Sequence, residues 1–238
     1  MPVIADNIKT ILGRIEQAAE KSGRDPKAVE LVAVTKTVGA DQALEAVLAG
    51  ATSLGESRVQ EAREKFSVIG PKARWHLIGP LQTNKAKYCP GLFHLIHSVD
   101  RMELFRELAR QAARKATVVH CLLQVNLSGE KQKSGCRAED AEGIIKEAAL
   151  LEGVRIEGLM TVPPYSDDPE DSRPFFGELC QMAGRLGALG VVNVKMDRIS
   201  AGMSNDFEVA VEEGATIVRV GSAIFGERLQ WRVENDKE

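Results

Sequence analysis

The sequence predicts an α/β fold: one closed (β/α)8 TIM barrel, entered through an extra N-terminal helix and taken as a single domain over residues 1–238. Three observations predict it. Eight short strand-like runs are each followed by a helical pattern, and that alternation implies a parallel sheet. A length of 238 residues suits eight such units, since about 250 is typical of this barrel. The residues after the first strand, TKTVGADQA at 35–43, lack GxGxxG, and no GxxxxGK[ST] occurs anywhere. An open doubly wound sheet usually carries such a glycine turn.

The elements follow in order. Ile4, Ile8, Ile11, Leu12, Ile15, Ala18 and Ala19 form a helical stripe ended by Gly23 and Pro26. LVAVTK (31–36) is the first strand, and the helix 41–50 stops at Gly50. TSLGES (52–57) is the second; Ser57 and Gln60 have capping-box spacing for a helix over 58–66. WHLIGPL (75–81) precedes a short helix begun by TNKAKYC, and HLIHSV (94–99) precedes a helix capped by Asp100 and Glu103. HCLLQVNL (120–127) pairs with helix 138–151, and VRIEGLMTV (154–162) with helix 171–187. VKMDRISAG (194–202) leads to helix 205–213, and TIVRVGSAIFG (216–226) runs into a final short helix. The polar stretch 163–174 reads equally as a loop over the barrel mouth and as a solvated connection.

Composition narrows the function. The chain is 44% hydrophobic and 27% charged, with a net charge of −3, which excludes a disordered chain and lacks the basic footprint of nucleic-acid binding. No run approaches the roughly 18 apolar residues of a membrane span. The N-terminus, MPVIADNIKTILGRIEQ, mixes charged and apolar residues, unlike a signal peptide. Cys89, Cys121, Cys136 and Cys180 form no CxxC pair and read as free thiols of a cytoplasmic protein. His76, His94, His97 and His120 form no HExxH, and no metal site is expected.

Barrel active sites lie at the C-terminal strand ends, so chemistry is sought there. Lys36 directly follows LVAVT. Buried in the mouth, it would have a lowered pKa and form imines readily; the alternative is a lysine that has left the strand and faces water. After the seventh and eighth strands come SAGMSND and RVGSAIFG. Barrels often bind phosphate there, on small-residue turns that feed helix starts. Gly202 and Gly221 allow close backbone approach, and Ser200, Ser204 and Ser222 add hydroxyls; ordinary capped turns would look similar. A lysine imine beside a phosphate cradle suggests pyridoxal 5′-phosphate, with Arg219 placed to face its pyridine nitrogen.

LVAVTKT (31–37), GESRVQE (55–61), WHLIGPLQTNK (75–85), HSVD (97–100), KSG (133–135), GLMTV (158–162) and GMSNDFEVAVEEGATIVRVGSAIFGER (202–228) resemble the pyridoxal phosphate homeostasis protein family, the YggS/PROSC family. The resemblance implies the alanine racemase N-terminal barrel (PLP fold type III), with an internal aldimine on Lys36. It implies a phosphate held by Ser200, Met203, Ser204, Gly221 and Ser222, and Arg219 at the ring nitrogen. Ser57, His76, Ile78 and Met160, at strand ends, complete the cofactor-binding set. It also implies a non-catalytic cytoplasmic protein of vitamin B6 homeostasis. Such a protein buffers the cofactor or delivers it to apo PLP-dependent enzymes, and affects amino-acid and keto-acid balance. The family usually reads GEN where this chain has GES, so Ser57 replaces an asparagine, and Arg58 stands where a tyrosine is usual. The alternatives are a weak PLP-dependent amino-acid racemase and a cofactor-free enzyme using Lys36 on a sugar phosphate. Racemases of this fold take a second base, a tyrosine, from a partner's C-terminal domain. No such domain is expected after the eighth unit, and Tyr88 and Tyr165 match no such motif, so a monomeric carrier is expected.

Overall fold

The structure is a computed structural model that describes residues 3–130 and 132–226. Its strands are β1 (Glu30–Val34), β2 (Ser53–Glu56), β3 (Arg74–Leu77), β4 (Leu95–Val99), β5 (Val119–Asn126), β6 (Cys136–Arg137), β7 (Val154–Met160), β8 (Val194–Ser200) and β9 (Ile217–Val220). The helices are α1 (Val3–Lys21), α2 (Ala40–Leu48), α3 (Val59–Ile69), α4 (Met102–Arg114), α5 (Ala141–Ala148), α6 (Arg173–Gly187), α7 (Phe207–Glu213) and α8 (Ser222–Phe225). Around the sheet the order is β4-β3-β2-β1-β9-β8-β7-β5, and β5 returns to β4, so eight strands close a barrel. Every pairing is parallel. The two-residue β6 pairs with the end of β5. The expected (β/α)8 barrel with an extra N-terminal helix is therefore the fold.

Alternation along the strands divides the core. Outward residues such as Ala33, Leu54, Trp75, Val218 and Val220 pack under α1, α2, α3 and α8. Leu77, Ile96, Cys121, Leu123 and Leu159 pack with residues of α4–α7. Val32, Leu95, Leu122, Met160 and Ile217 form a small apolar cluster within the barrel. Helix α1 buries Ile4, Ile8, Ile11 and Ile15, and is tied across by Arg14 to Glu208 and Asn7 to the Ile224 carbonyl. Leu12, read as part of that stripe, lies off it and is exposed.

Several boundaries differ from the sequence reading. Strands end before their apolar runs do: β1 stops at Val34, β3 at Leu77 and β9 at Val220. The Ser57–Gln60 capping box does not form. Arg58 is the extended residue before α3, without a side-chain cap, and Gln60 Nε2 donates to Glu64 instead. Likewise Arg101 precedes α4 without a side-chain cap, while Asp100 pairs with Arg101 at 2.6 Å. The segment Thr83–Tyr88 is a 3-10 helix, and the helix expected over 138–151 is a 3-10 turn (Ala138–Asp140) followed by α5. Glu227 and Arg228, which end the last family-like motif, lie outside the described residues.

Candidate functional site

The end of β1 is locked from beneath. Thr35 N donates to Gly55 O (2.9 Å), and Thr35 Oγ1 donates to Glu56 Oε1 (2.5 Å). Lys65 Nζ reaches both Glu56 Oε1 and Thr35 O at 2.6 Å. Glu56 and Lys65 are buried, and Glu56 Oε2 has no hydrogen-bond partner among the described residues. Burial pushes the Glu56 carboxyl up, opposed by Lys65 and Thr35. Lys36 comes next and is half-buried, between the two settings open to it from sequence. Thr37 then takes a left-handed φ of 65°, strained for a β-branched residue. Its Oγ1 donates to Lys36 O (2.5 Å), and its N to Glu61 Oε2 (3.3 Å).

Beside this end lie the two small-residue turns. Residue pairing sets Val32 against Arg219 and Ala33 against Val220, so Gly221 follows at the level of Val34. A Cβ on Gly221 would lie 3.3 Å from Val34 Cβ. Gly202 has φ +85°, and its Cβ would meet Ala210 Cβ at 2.6 Å, so only glycine fits. Ser204 Oγ joins the turns, accepting from Gly221 N (3.2 Å) and Ala223 N (3.3 Å). Met203 N donates to Asp206 Oδ1 (2.7 Å), whose Oδ2 accepts from buried Ser172. Met203 and Ser222 are exposed.

Further in, a polar chain crosses the barrel. Arg219 Nη1 donates to Ser200 Oγ (2.6 Å) and Nη2 to Thr161 O (3.0 Å). Ser200 Oγ meets His97 Nδ1 at 2.8 Å, and His97 Nε2 meets His76 Nδ1 at 2.9 Å. All four side chains are buried. Burial lowers the Arg219 pKa to about 10, with Asp206 opposing, so the guanidinium stays charged at neutral pH. His97 is held well below its ordinary value by burial, then by His76, Arg219 and Arg198.

The mouth thus brings together Lys36, Ser204, Gly221 and Ser222, with Arg219 beneath them. Ser200, expected in the phosphate cradle, is committed to His97 and Arg219. His76 lies deeper still, between His97 and Glu30, and Met160 belongs to the inner apolar cluster. Ser57 and Ile78 are half-buried at the ends of β2 and β3. Glu30, Lys65 and His97 were not among the cofactor-site candidates read from the sequence.

The sequence profile of the alanine racemase N-terminal domain matches residues 7–229. The chain is 41% identical to the pyridoxal phosphate homeostasis protein of Aquifex aeolicus (strain VF5), over 94% of this chain and 97% of that protein. It is 38% identical to the protein of the same name from Pseudomonas aeruginosa, over 96% and 97%. Among solved structures it resembles PipY of Synechococcus elongatus PCC7942 with PLP bound, with a TM-score of 0.82 and 33% identity over 94% of this chain and all of that one.

Proposed function

The chain belongs to the pyridoxal phosphate homeostasis protein family, and from that premise we propose that it holds pyridoxal 5′-phosphate in the barrel mouth and serves in vitamin B6 homeostasis. The observation that carries this reading is the convergence of half-buried Lys36, the Ser204–Gly221 junction and buried Arg219 on one mouth. The residues present fit the group: a lysine for the aldehyde, a small-residue cradle for the phosphate, and a cation at the depth of the ring. When bound, the cofactor supplies an aldehyde carbon and an aromatic ring able to draw electrons from an attached amine.

Each residue has a defined task. Lys36 anchors the aldehyde end covalently, its backbone fixed by the Thr35–Glu56–Lys65 cluster. Ser204, Gly221 and Ser222 hold the phosphate, with Met203 beside them. Ser57 and Ile78 wall the mouth at β2 and β3. Ser200, His76 and Met160 support the site from below. Arg219 faces the ring nitrogen. A charged guanidinium can only donate a hydrogen bond, so it leaves that nitrogen without a proton of its own. Such a ring is a weak electron sink, which supports a cofactor carrier over a catalyst, as do the names of the relatives. Delivery to apo PLP-dependent enzymes, as a cytoplasmic monomer made of one domain, completes the reading.

The test is an absorption spectrum of the protein incubated with PLP, before and after borohydride, followed by peptide mapping. A visible band reduced onto Lys36 is the expected result, and Lys36→Ala abolishes it. A protein that stays colourless, or a normal band in Lys36→Ala, overturns the assignment.

A further inference from the structure

The buried chain does not end at His76. Its Nε2 lies 3.5 Å from Glu30 Oε1 at the start of β1, on the opposite face of the barrel from the mouth. This is a charge contact rather than a hydrogen bond, and His76 Nε2 has no hydrogen-bond partner among the described residues. Glu30 also accepts from Ser53 Oγ (2.5 Å), and Arg74 stands 3.0 Å away. Burial opposes the Glu30 charge, but His76, Ser53 and Arg74 outweigh it and hold its pKa down to about 2.

The two ends of this chain fix its direction. Arginine can only donate and an ionised carboxylate can only accept. Arg219 gives a proton to Ser200 Oγ. If Ser200 in turn donates to His97 Nδ1, then neutral His97 carries its proton on Nε2 and donates to His76 Nδ1. His76 is then also the Nε2–H form, and that proton points at Glu30. The reverse sense would leave the Ser200 hydroxyl proton with no partner in the chain. It would also set the His76 Nε2 lone pair against a carboxylate oxygen. The first arrangement pairs the buried Ser200 hydroxyl and sets a proton rather than a lone pair toward the carboxylate, so it prevails.

We infer that Arg219, Ser200, His97 and His76 form a one-way hydrogen-bond relay across the barrel, in which His97 and His76 are positioning residues for Arg219 and the Glu30 carboxylate, 3.5 Å beyond the last ring, sets the direction from the far face. The upper end rests on the cofactor reading above. Through the relay, a carboxylate remote from the mouth governs how firmly the guanidinium is presented to the bound ring. The charged and titratable groups facing it are Arg74 on β3, His94 before β4, Arg198 on β8 and Asp206 before α7.

The relay is tested in two parts. Histidine side-chain nitrogen NMR on the protein without cofactor reads the tautomers. Both His97 and His76 should be neutral Nε2–H forms; an Nδ1–H form at either overturns the relay independently of any cofactor. PLP is then titrated into wild type, Glu30→Leu, Glu30→Gln and His97→Gln, after wild-type attachment to Lys36 is verified by reduction. Failure of that attachment sinks the cofactor reading and leaves the tautomer result standing. Glu30→Leu and His97→Gln should each weaken PLP binding about three- to tenfold, the scale of one lost hydrogen bond, and shift the visible band. Glu30→Gln, which keeps an acceptor oxygen, should restore most of both. Wild-type affinity and band in a folded Glu30→Leu protein overturn the relay. If Glu30→Leu fails to fold, the His97→Gln titration decides by the same criterion.

Discussion

Replacing Lys65 by methionine keeps most of the side-chain volume and removes the charge that compensates Glu56. In the wild-type protein these side chains are 9% and 0% exposed, 2.6 Å apart, and Lys65 also holds the Thr35 carbonyl. Removing one partner of such a buried pair costs about 3–5 kcal/mol. For a chain of this size that lowers the unfolding midpoint by about 6–20 °C. The loss depends on pH with a definite sign. Burial raises the Glu56 carboxyl even with Lys65 present, and loss of Lys65 raises it further. The folded state then keeps a proton that the unfolded state gives up near its ordinary value of 4.5. Stability therefore falls as pH rises above that value, by up to about 1.4 kcal/mol per pH unit, until the folded pKa is passed. Urea unfolding at about pH 5 and about pH 8 measures this. The defect should be clearly smaller at the lower pH, and Glu56→Gln added to Lys65→Met should recover most of the loss at the higher one. Equal defects at both pH values, or a defect below about 1 kcal/mol at the higher pH, would refute the account of this pair.

Two further substitutions probe the turns at the mouth. Gly202→Ala places a methyl 2.6 Å from Ala210 Cβ at φ +85°, and should cost about 2–4 kcal/mol in chemical unfolding. Gly190→Ala, at φ +61° with open space around it, should cost only the backbone term of about 1 kcal/mol; equal costs at the two sites would refute the packing argument. Ser204→Ala leaves the Gly221 and Ala223 amides without their shared acceptor. It should cost about 1 kcal/mol of stability and weaken PLP binding several-fold in the titration described above; no change in either would remove Ser204 from the cradle.

The fold was legible because strand and helix periods differ and recur eight times. Helix starts were not: Ser57 and Asp100 have the right residue types at the right spacing, yet Arg58 and Arg101 take the extended positions before α3 and α4. The candidate site was legible where it depends on position along a strand. Lys36, Arg219 and Gly221 are found by counting to the strand ends. The relay and the Lys65–Glu56 pair depend instead on which strand lies beside which, and at what height. His76 is level with Leu95, so His97 stands one inward step higher and meets it, while its other partner, Ser200, is 103 residues away. Metal-ligand spacing in the sequence picks out only His94 and His97, whose side chains differ: one is exposed, the other fully buried.

The interior of this barrel argues for a ligand on physical grounds of its own. Barrels of this class usually fill their centre with layers of branched aliphatic residues. Here Val32, Leu95, Leu122, Met160 and Ile217 do so, but His76, His97, Ser200 and Arg219 displace them along one path. Burying a guanidinium is costly unless a carboxylate lies against it, and the acceptors that Arg219 bonds are neutral, Ser200 Oγ and Thr161 O. Well-packed apolar residues would make a more stable barrel. A fold that keeps the more expensive arrangement, and braces it through to a carboxylate on its far side, holds a cation ready for an acceptor that enters through the mouth.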